Sequence, residues 1–190
     1  MRVTNVHRRT IDDVDAVADL IDALAGDDDR LWPRDRWPAM RLDRSLQVGA
    51  QGGHGPIRYW VDLYDPGRRA RFRFERPRGL GGFHEFVLLH GGGRPAELVH
   101  VLEARLTGTA RVTWPLLYRP LHDALIEDAL DNATRTTKGW AEQASWSRYV
   151  RFLRQALARR HESRPPLPAL PEACCGLQAM AWEHARGAHW

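Results

Sequence analysis

Hydrophobic side chains recur with a helical period from Thr109 to Lys138, the longest such stretch in the sequence. One half of the helical wheel contains Trp114, Leu117, Tyr118, Leu121, His122, Leu125, Ile126, Ala129, Asn132 and Ala133. The opposite half carries Asp123, Glu127 and Asp131. This pattern predicts an amphipathic helix about 40 Å long, which needs a broad apolar surface to lie on. Pro115 fits the first turn, whereas Pro120 predicts a kink or a restart of the helix.

Before this helix the hydrophobic period is mostly two, which is typical of strands. Strands are predicted at 2–10, 47–54, 57–64, 70–77, 82–90 and 96–107. Turns that contain glycine or proline separate the last five, so they predict an antiparallel meander. A first helix of about a dozen residues is predicted from Val14, with Asp12 or Asp13 as its N-cap and Gly26 as its stop.

Residues 27–46 show no regular period, but they contain Trp32 and Trp37, each followed by proline. Two large aromatic side chains in one loop predict a segment that packs down as a lid or plug. After Lys138 a second amphipathic helix is predicted at 141–160, followed by a Pro-rich linker at 164–171 and a tail.

The helix at 141–160 has three interpretations, because its apolar arc is unlikely to stay in water. It packs on its own domain, covers a second protomer to form a homodimer, or lies on an anionic membrane surface. The chain is accordingly divided into a domain at 1–138 and a helix with tail at 139–190.

The composition narrows the class of protein. A chain of 190 residues that is 43% hydrophobic can bury a core as one domain with an appendage. The net charge is +4, but no block of Lys and Arg occurs, which predicts no nucleic-acid partner. The adjacent Cys174 and Cys175 indicate reduced thiols. Without an apolar run of about 18 residues or a signal peptide, we expect a cytoplasmic protein with no stable membrane insertion.

The order of elements is a strand, a short helix, an aromatic loop, a meander and then the long helix. This order, with the stretches 52–74, 97–106 and 120–133, resembles the START-like (SRPBCC) superfamily, in particular its polyketide cyclase/dehydrase-like branch. The resemblance implies an α+β helix-grip fold, in which a curved antiparallel sheet wraps around a long C-terminal helix. An extra C-terminal helix and tail would follow this domain.

In a helix-grip fold the sheet and the long helix enclose a cavity. His100 shares the apolar phase of its strand, His122 lies in the apolar arc of the helix, and Tyr59 alternates with apolar residues. We therefore predict these three as candidate proton-transfer groups. In strand 82–90 either the phase of His84 or the phase of Glu85 could face inward. The predicted ligand-binding residues are Trp60, Phe72, Phe74, His84, Glu85, Phe86, Leu98, Leu102, Trp114, Leu117, Tyr118, Leu121 and Leu125.

Three functions follow from this reading. The first is binding of an apolar small molecule, aromatic, polyketide-like or lipid-like, in the cavity, as in lipid transport. The second is a cofactor-independent cyclase, aromatase or dehydrase. The third is a non-catalytic interaction module that dimerises through the tail. No cofactor is predicted, since P-loop and dinucleotide-binding motifs are absent. No metal site is predicted, since His184, His189 and the two cysteines match no zinc spacing.

Overall fold

The computed structural model describes residues 1–162, with side chains described up to residue 157. The predicted linker at 164–171 and the tail beyond it lie outside the described residues. Seven strands form one sheet in the order β1-β7-β6-β5-β4-β3-β2, and all neighbouring strands are antiparallel. The strands are β1 (Arg2–Ile11), β2 (Arg41–Leu42), β3 (Gln51–His54), β4 (Ile57–Asp65), β5 (Arg69–Arg76), β6 (Leu80–Gly91) and β7 (Arg94–Leu106).

A long helix lies against one face of this curved sheet, and the predicted α+β helix-grip fold is confirmed. The long helix consists of α2 (Ala110–Thr113), a π-helical turn (Trp114–Tyr118) and α3 (Arg119–Lys138). The other helices are α1 (Val14–Asp22) and α4 (Arg148–Glu162). Within the described residues no helix is both long and apolar enough to cross a membrane.

The π-helical turn explains how the long helix accommodates its prolines. Pro120 has no N–H to donate to the carbonyl of Leu116, four residues earlier. The hydroxyl of Tyr149 donates to that carbonyl instead, at 2.6 Å. The amide of Arg119 donates to the carbonyl of Trp114, which closes the wider turn. The predicted kink or restart is therefore a local change of helical register, and the helix continues through it.

The first helix is shorter than the sequence suggested. Asp13 is its N-cap, since its carboxylate accepts from the amide of Ala16 at 3.0 Å. The helix ends at Asp22, before the predicted stop at Gly26. Ala25 adopts a positive φ of 64°, and its amide donates to the buried carboxylate of Asp29 at 2.9 Å. This carboxylate ends the helix early because it binds the backbone that follows.

Residues 27–46 pack down on the core as predicted, although they also contain the short strand β2. Trp32 and Trp37 are buried, at 2% and 8% exposure. The indole N–H of Trp32 donates to the carbonyl of Pro38 at 2.9 Å. The indole N–H of Trp37 instead donates to Asp128 of α3, at 2.6 Å. The loop is therefore fastened to the long helix by a hydrogen bond as well as by apolar contact.

The segment after the long helix differs from the prediction. Helix α4 begins at Arg148 rather than near Ala141, and the hydroxyl of Ser147 accepts from the amide of Val150 at 3.2 Å. Residues 141–146 are not helical, and within them the amide of Ala144 and the indole of Trp146 donate to Asp131 and Asp128.

One compact unit comprises Met1–Gln155. The division of the chain into a domain at 1–138 and a helix with tail at 139–190 stays a prediction. Within the unit Met1–Gln155, Trp146 and Val150 pack against the core. The second unit, Ala156–Trp190, contains the end of α4. A homodimer through 141–160 and a membrane contact of this helix both stay predictions.

Asp128 carries the first testable prediction. Its carboxylate is 2% exposed and accepts from Arg36, Trp37 and Trp146 at 2.5, 2.6 and 3.0 Å. Asp128→Ala would leave a guanidinium and two indole N–H groups without their acceptor. We expect the free energy of unfolding to fall by about 3–5 kcal/mol, measured by urea denaturation.

The matched control is Asp12→Ala, which removes an exposed carboxylate 3.1 Å from Lys138. We expect a change below about 0.5 kcal/mol for this control. If Asp128→Ala costs no more than Asp12→Ala, the buried carboxylate does not hold the loop and the 141–146 segment to the helix.

Candidate functional site

Five histidines from separate elements lie in a row between the sheet and the long helix. They are His7 of β1, His54 of β3, His84 of β6, His100 of β7 and His122 of α3. Strand register explains part of the arrangement, because His7 and His100 are direct partners across β1 and β7. Alternation along each strand then directs both side chains to the helix side of the sheet.

The imidazole rings lie within contact distance of one another along the row. Ring centroids are 6.1 Å apart for His7 and His122, and 5.0 Å apart for His122 and His100. The Nδ1 of His84 is 3.3 Å from the Nε2 of His100, so one of these nitrogens donates to the other. The His54 and His84 rings are 6.5 Å apart. We call these five residues the histidine row.

Most of the histidine row is held in the neutral form. Burial, followed by the nearby His122 and Arg58, lowers the pKa of His54 from 6.5 to about 3. Burial, followed by the neighbouring imidazoles, lowers the pKa of His84 and of His100 well below 6.5. Burial also lowers the pKa of His122, although Asp123 opposes the shift.

His7 is the exception. Its Nδ1 is 2.7 Å from Glu127 and its Nε2 is 3.2 Å from Asp123. Burial lowers the pKa of His7, but the hydrogen bonds and charges of these two carboxylates outweigh burial and raise it above 6.5. Burial in turn raises the pKa of Asp123, but the nearby His122 and the hydrogen bonds from His7 and Asn5 outweigh burial and lower this pKa. The row therefore has a charged end at His7 and a neutral interior.

Two neighbours of His7 on β1 make similar contacts with the long helix. Asn5 Nδ2 donates to Asp123 at 2.8 Å. Arg9 donates to both Glu127 and Asp131, each at 3.0 Å. The acidic face of the long helix, which the sequence separated from the apolar arc, is thus turned towards β1.

Several polar atoms of the histidine row and of its neighbours on β1 are buried without a hydrogen-bond partner among the described residues. They are His84 Nε2, His100 Nδ1, both ring nitrogens of His122, Asn5 Oδ1 and Arg9 Nε. Buried polar groups are normally paired, so a cluster of unpaired ones is a recognised sign of a binding site.

The structure brings most of the predicted site residues together. His100 and His84 face the helix, and Tyr59 joins them through its hydroxyl, 3.1 Å from His54 Nδ1. Phe72 and Phe74 each stack on the His84 ring, with centroids 5.1 and 5.2 Å away. The other predicted lining residues on this side are Phe86, Leu98, Leu102, Trp114, Tyr118, Leu121 and Leu125. Leu117 is half-buried in the π-helical turn.

Two predicted ligand-binding residues lie on the outer face of the sheet. Glu85 points away from the helix and is bound by Arg69 and Arg71, at 2.8 and 2.7 Å. This settles the open question of strand β6, because the phase of His84 faces inward. Trp60 pairs with Arg73 across β4 and β5, and the guanidinium lies 6.0 Å from its ring centroid. Neither side chain lines the space under the helix.

Sequence reasoning missed His7, His54, Asn5, Asp123 and Glu127 as site residues. Alternation did carry a signal for β1, because Asn5 and His7 share one phase of that strand. The spacing of four residues between Asp123 and Glu127 also puts both on one helical face. Nothing in the sequence shows that this face meets β1.

Exposure differs along the inward surface. Tyr59, Phe72, Phe86 and His100 are each 0% exposed, so no water-sized space lies against them. Phe74 and Tyr118 remain partly exposed and pack against both apolar clusters of the core. The interior is therefore packed around the middle of the histidine row and more open near Phe74.

An open groove of about 590 Å³ lies at the turn between β5 and β6. Its lining includes Phe74, Leu80, Arg78 and Arg105. Gly79 also lines it, and a Cβ atom there would lie 2.5 Å from the carbonyl oxygen of Thr107. The close approach of these two backbones requires glycine at this position.

The fold is similar to that of several solved structures. Norcoclaurine synthase from Thalictrum flavum, in complex with dopamine and hydroxybenzaldehyde, has a TM-score of 0.53 at 13% identity, over 75% of this chain and 90% of that chain. The protein EF2215 of Enterococcus faecalis has a TM-score of 0.50 at 11% identity, over 86% and 88%. CalU16 from Micromonospora echinospora has a TM-score of 0.48 at 16% identity, over 84% of each chain.

No protein-family model matches the sequence, and no curated protein is similar to it. The similarities to norcoclaurine synthase and to EF2215 agree with the helix-grip fold that the sequence predicted. The polyketide cyclase/dehydrase-like branch stays a prediction.

The neutral histidines predict a loss of stability in acid. The folded pKa of His54 is about 3 and its ordinary value is 6.5, so between these values the unfolded chain binds more protons. The free energy of unfolding should therefore fall as the pH drops below 6.5, by up to about 1.4 kcal/mol per pH unit for each such histidine. Urea denaturation at pH 7, 6 and 5, measured for wild type and His54→Asn, should give a shallower slope for the variant.

His90→Asn is the control, because it replaces an exposed side chain of β6. This substitution should leave the slope of unfolding free energy against pH unchanged. Equal slopes for wild type and His54→Asn would contradict the assignment of a neutral, buried His54.

Proposed function

We propose that the protein binds an apolar, aromatic small molecule at the groove beside Phe74. One observation carries this proposal: Phe74 lines the groove and also stacks on His84, whose Nε2 is buried and unpaired. A ligand in the groove would meet an aromatic face first and an imidazole behind it. The volume of about 590 Å³ is in the range of small-molecule sites, roughly 300–1,000 Å³.

The charged rim of the groove adds to its specificity. Arg78 and Arg105 line it together with Glu75, while Phe74 and Leu80 supply apolar surface. An aromatic ligand that carries a carboxylate or sulfonate could place its ring on Phe74 and its anion near either guanidinium. The ligand class proposed is therefore aromatic with an anionic substituent. Norcoclaurine synthase, which shares the fold, binds aromatic molecules, and this is consistent with the proposal.

A cyclase or dehydrase that uses His100, His122 and Tyr59 is the second candidate. The unpaired nitrogens of His100 and His122 favour it, since each could accept a proton from a ligand. The lowered pKa of both histidines weighs against it, because a general base works best with a pKa near the working pH. Tyr59 is 0% exposed and its hydroxyl is paired with His54, which keeps it from a ligand. Binding without turnover is therefore preferred.

Binding can be tested with 1-anilinonaphthalene-8-sulfonate, an aromatic sulfonate whose fluorescence reports its surroundings. Phe74→Ala removes the aromatic face of the groove, so we expect the dissociation constant to rise at least about 10-fold, or about 1.4 kcal/mol. Circular dichroism of each variant would confirm that it is folded.

Phe83→Ala is the matched control. Phe83 lies on β6 with its ring beneath Arg71, on the outer face, at 4.0 Å from the guanidinium. This control should bind the dye as wild type does. Equal weakening by both substitutions, or no weakening by Phe74→Ala, would overturn the proposed site.

A further inference from the structure

We propose that His7, His122 and Asp123 bind a divalent transition-metal ion, with Zn²⁺ as the best match to the ligand set. One ligand atom from each residue lies within 4.8 Å of the other two. The Nε2 of His7 is 3.2 Å, and the Nδ1 of His122 is 3.9 Å, from Oδ1 of Asp123. Tetrahedral zinc with bonds of about 2.0–2.1 Å holds its ligands about 3.4 Å apart. The three atoms could reach this geometry with small side-chain movements.

The contacts of His7 place its second ring nitrogen, Nε2, against Asp123. Its Nδ1 lies 2.7 Å from Oε1 of Glu127, and an ionised carboxylate only accepts, so Nδ1 carries the proton. In the neutral ring Nε2 then presents a lone pair to the lone pairs of Asp123. Two acceptors at 3.2 Å repel each other unless a positive group lies between them. A metal ion bound to both atoms would supply this positive group.

His122 supports the same assignment independently. Both of its ring nitrogens are buried, and neither has a hydrogen-bond partner among the described residues. The separation of 3.9 Å from Asp123 is too long for a hydrogen bond. A metal ion between Nδ1 and Asp123 would satisfy a polar atom that otherwise loses its hydration on folding, at a cost of about 1–3 kcal/mol.

The residues around the three ligands match the usual surroundings of a metal site. Glu127 accepts from His7 Nδ1, as carboxylates commonly do behind a metal-bound histidine. Asn5 donates to Oδ1 of Asp123 at 2.8 Å, which fixes that carboxylate. Arg9 is shared between Glu127 and Asp131, and the guanidinium of Arg119 lies 3.7 Å from Oδ2 of Asp123, which leaves Oδ1 to face the two histidines.

Three protein ligands would leave a fourth position for water or for a ligand, which is the arrangement of catalytic rather than structural zinc sites. The sequence could not reveal the site because His7 lies far along the chain from His122 and Asp123.

The experiment titrates the metal-depleted full-length chain with Zn²⁺ by calorimetry and with Co²⁺ by visible absorption. The chain carries Cys174→Ser and Cys175→Ser, so that no thiol contributes. We expect one ion per chain at this site, bound by nitrogen and oxygen ligands. His122→Phe and Asp123→Asn should each weaken this binding at least about 100-fold, since each removes a ligand.

Two controls separate this site from other histidines. His90→Gln changes an exposed histidine of β6, and the double substitution His184→Gln with His189→Gln removes two more from the tail. Both controls should leave the affinity for Zn²⁺ unchanged. If His122→Phe and Asp123→Asn also leave it unchanged, the proposal is wrong.

Glu127→Gln keeps the proposal testable if a ligand variant fails to fold, because the Glu127 side chain is 39% exposed. Glu127 is a positioning residue, so its substitution should weaken metal binding about 10–100-fold and alter the Co²⁺ spectrum. An unchanged affinity and spectrum would count against the site. Since Phe74 and the groove are not involved, these outcomes do not depend on whether an aromatic ligand binds.

Discussion

The position of the long helix depends on a polar ladder between β1 and α3. Its steps are Asn5 with Asp123 at 2.8 Å, His7 with Glu127 at 2.7 Å, and Arg9 with Asp131 at 3.0 Å. Every second residue of a strand advances about 6.6–6.8 Å, and every fourth residue of a helix advances about 6.0 Å. These two spacings are close enough for three successive pairs to form. Because β1 also pairs with β7, the same ladder sets His122 above His100.

The buried histidines beside this ladder cost stability, and the molecule keeps them. Burial of His84, His100 and His122 leaves ring nitrogens unpaired, whereas apolar side chains would fill the same space without that cost. Asp128 and Asp131 are also buried, but each is paired with groups from outside the helix. The two kinds of buried polar residue thus differ. The aspartates fasten segments to the helix, whereas the histidines have spare hydrogen-bonding capacity, which is the property a binding site needs.

The sequence predicted the architecture well because alternation and helical period are local properties. The phase of β7 placed His100 correctly, and the phase of β5 placed Phe72 and Phe74. Strand β6 could not be settled in this way, because apolar residues occupy both of its phases. The deciding contact is the pair of arginines on β5 that covers Glu85, and it requires the strand register.

The functional site was predictable only in part, for the same reason. Trp60 was expected inside because it is aromatic, yet it occupies the phase opposite to Tyr59, and that phase faces outward. The helical wheel places Asp123 and Glu127 on the polar half of the predicted helix. Their partners lie on β1, more than a hundred residues earlier, and periodicity within one segment carries no information about such contacts. Element type was therefore predictable, and the pairing between distant elements was not.

Among the described residues, no continuous series of hydrogen bonds connects His7 to His84. A proton relay needs an unbroken series of donors and acceptors, and the row has one such link, between His84 and His100. His100 Nδ1 has no partner among the described residues, and neither nitrogen of His122 has one, so the series breaks between these two rings although they are in contact. The carboxylates of Asp123 and Glu127 lie at His7, whereas His84 lies between aromatic rings, in contact with Phe72 and Phe74. One end of the row is suited to a cation and the other to an aromatic ligand.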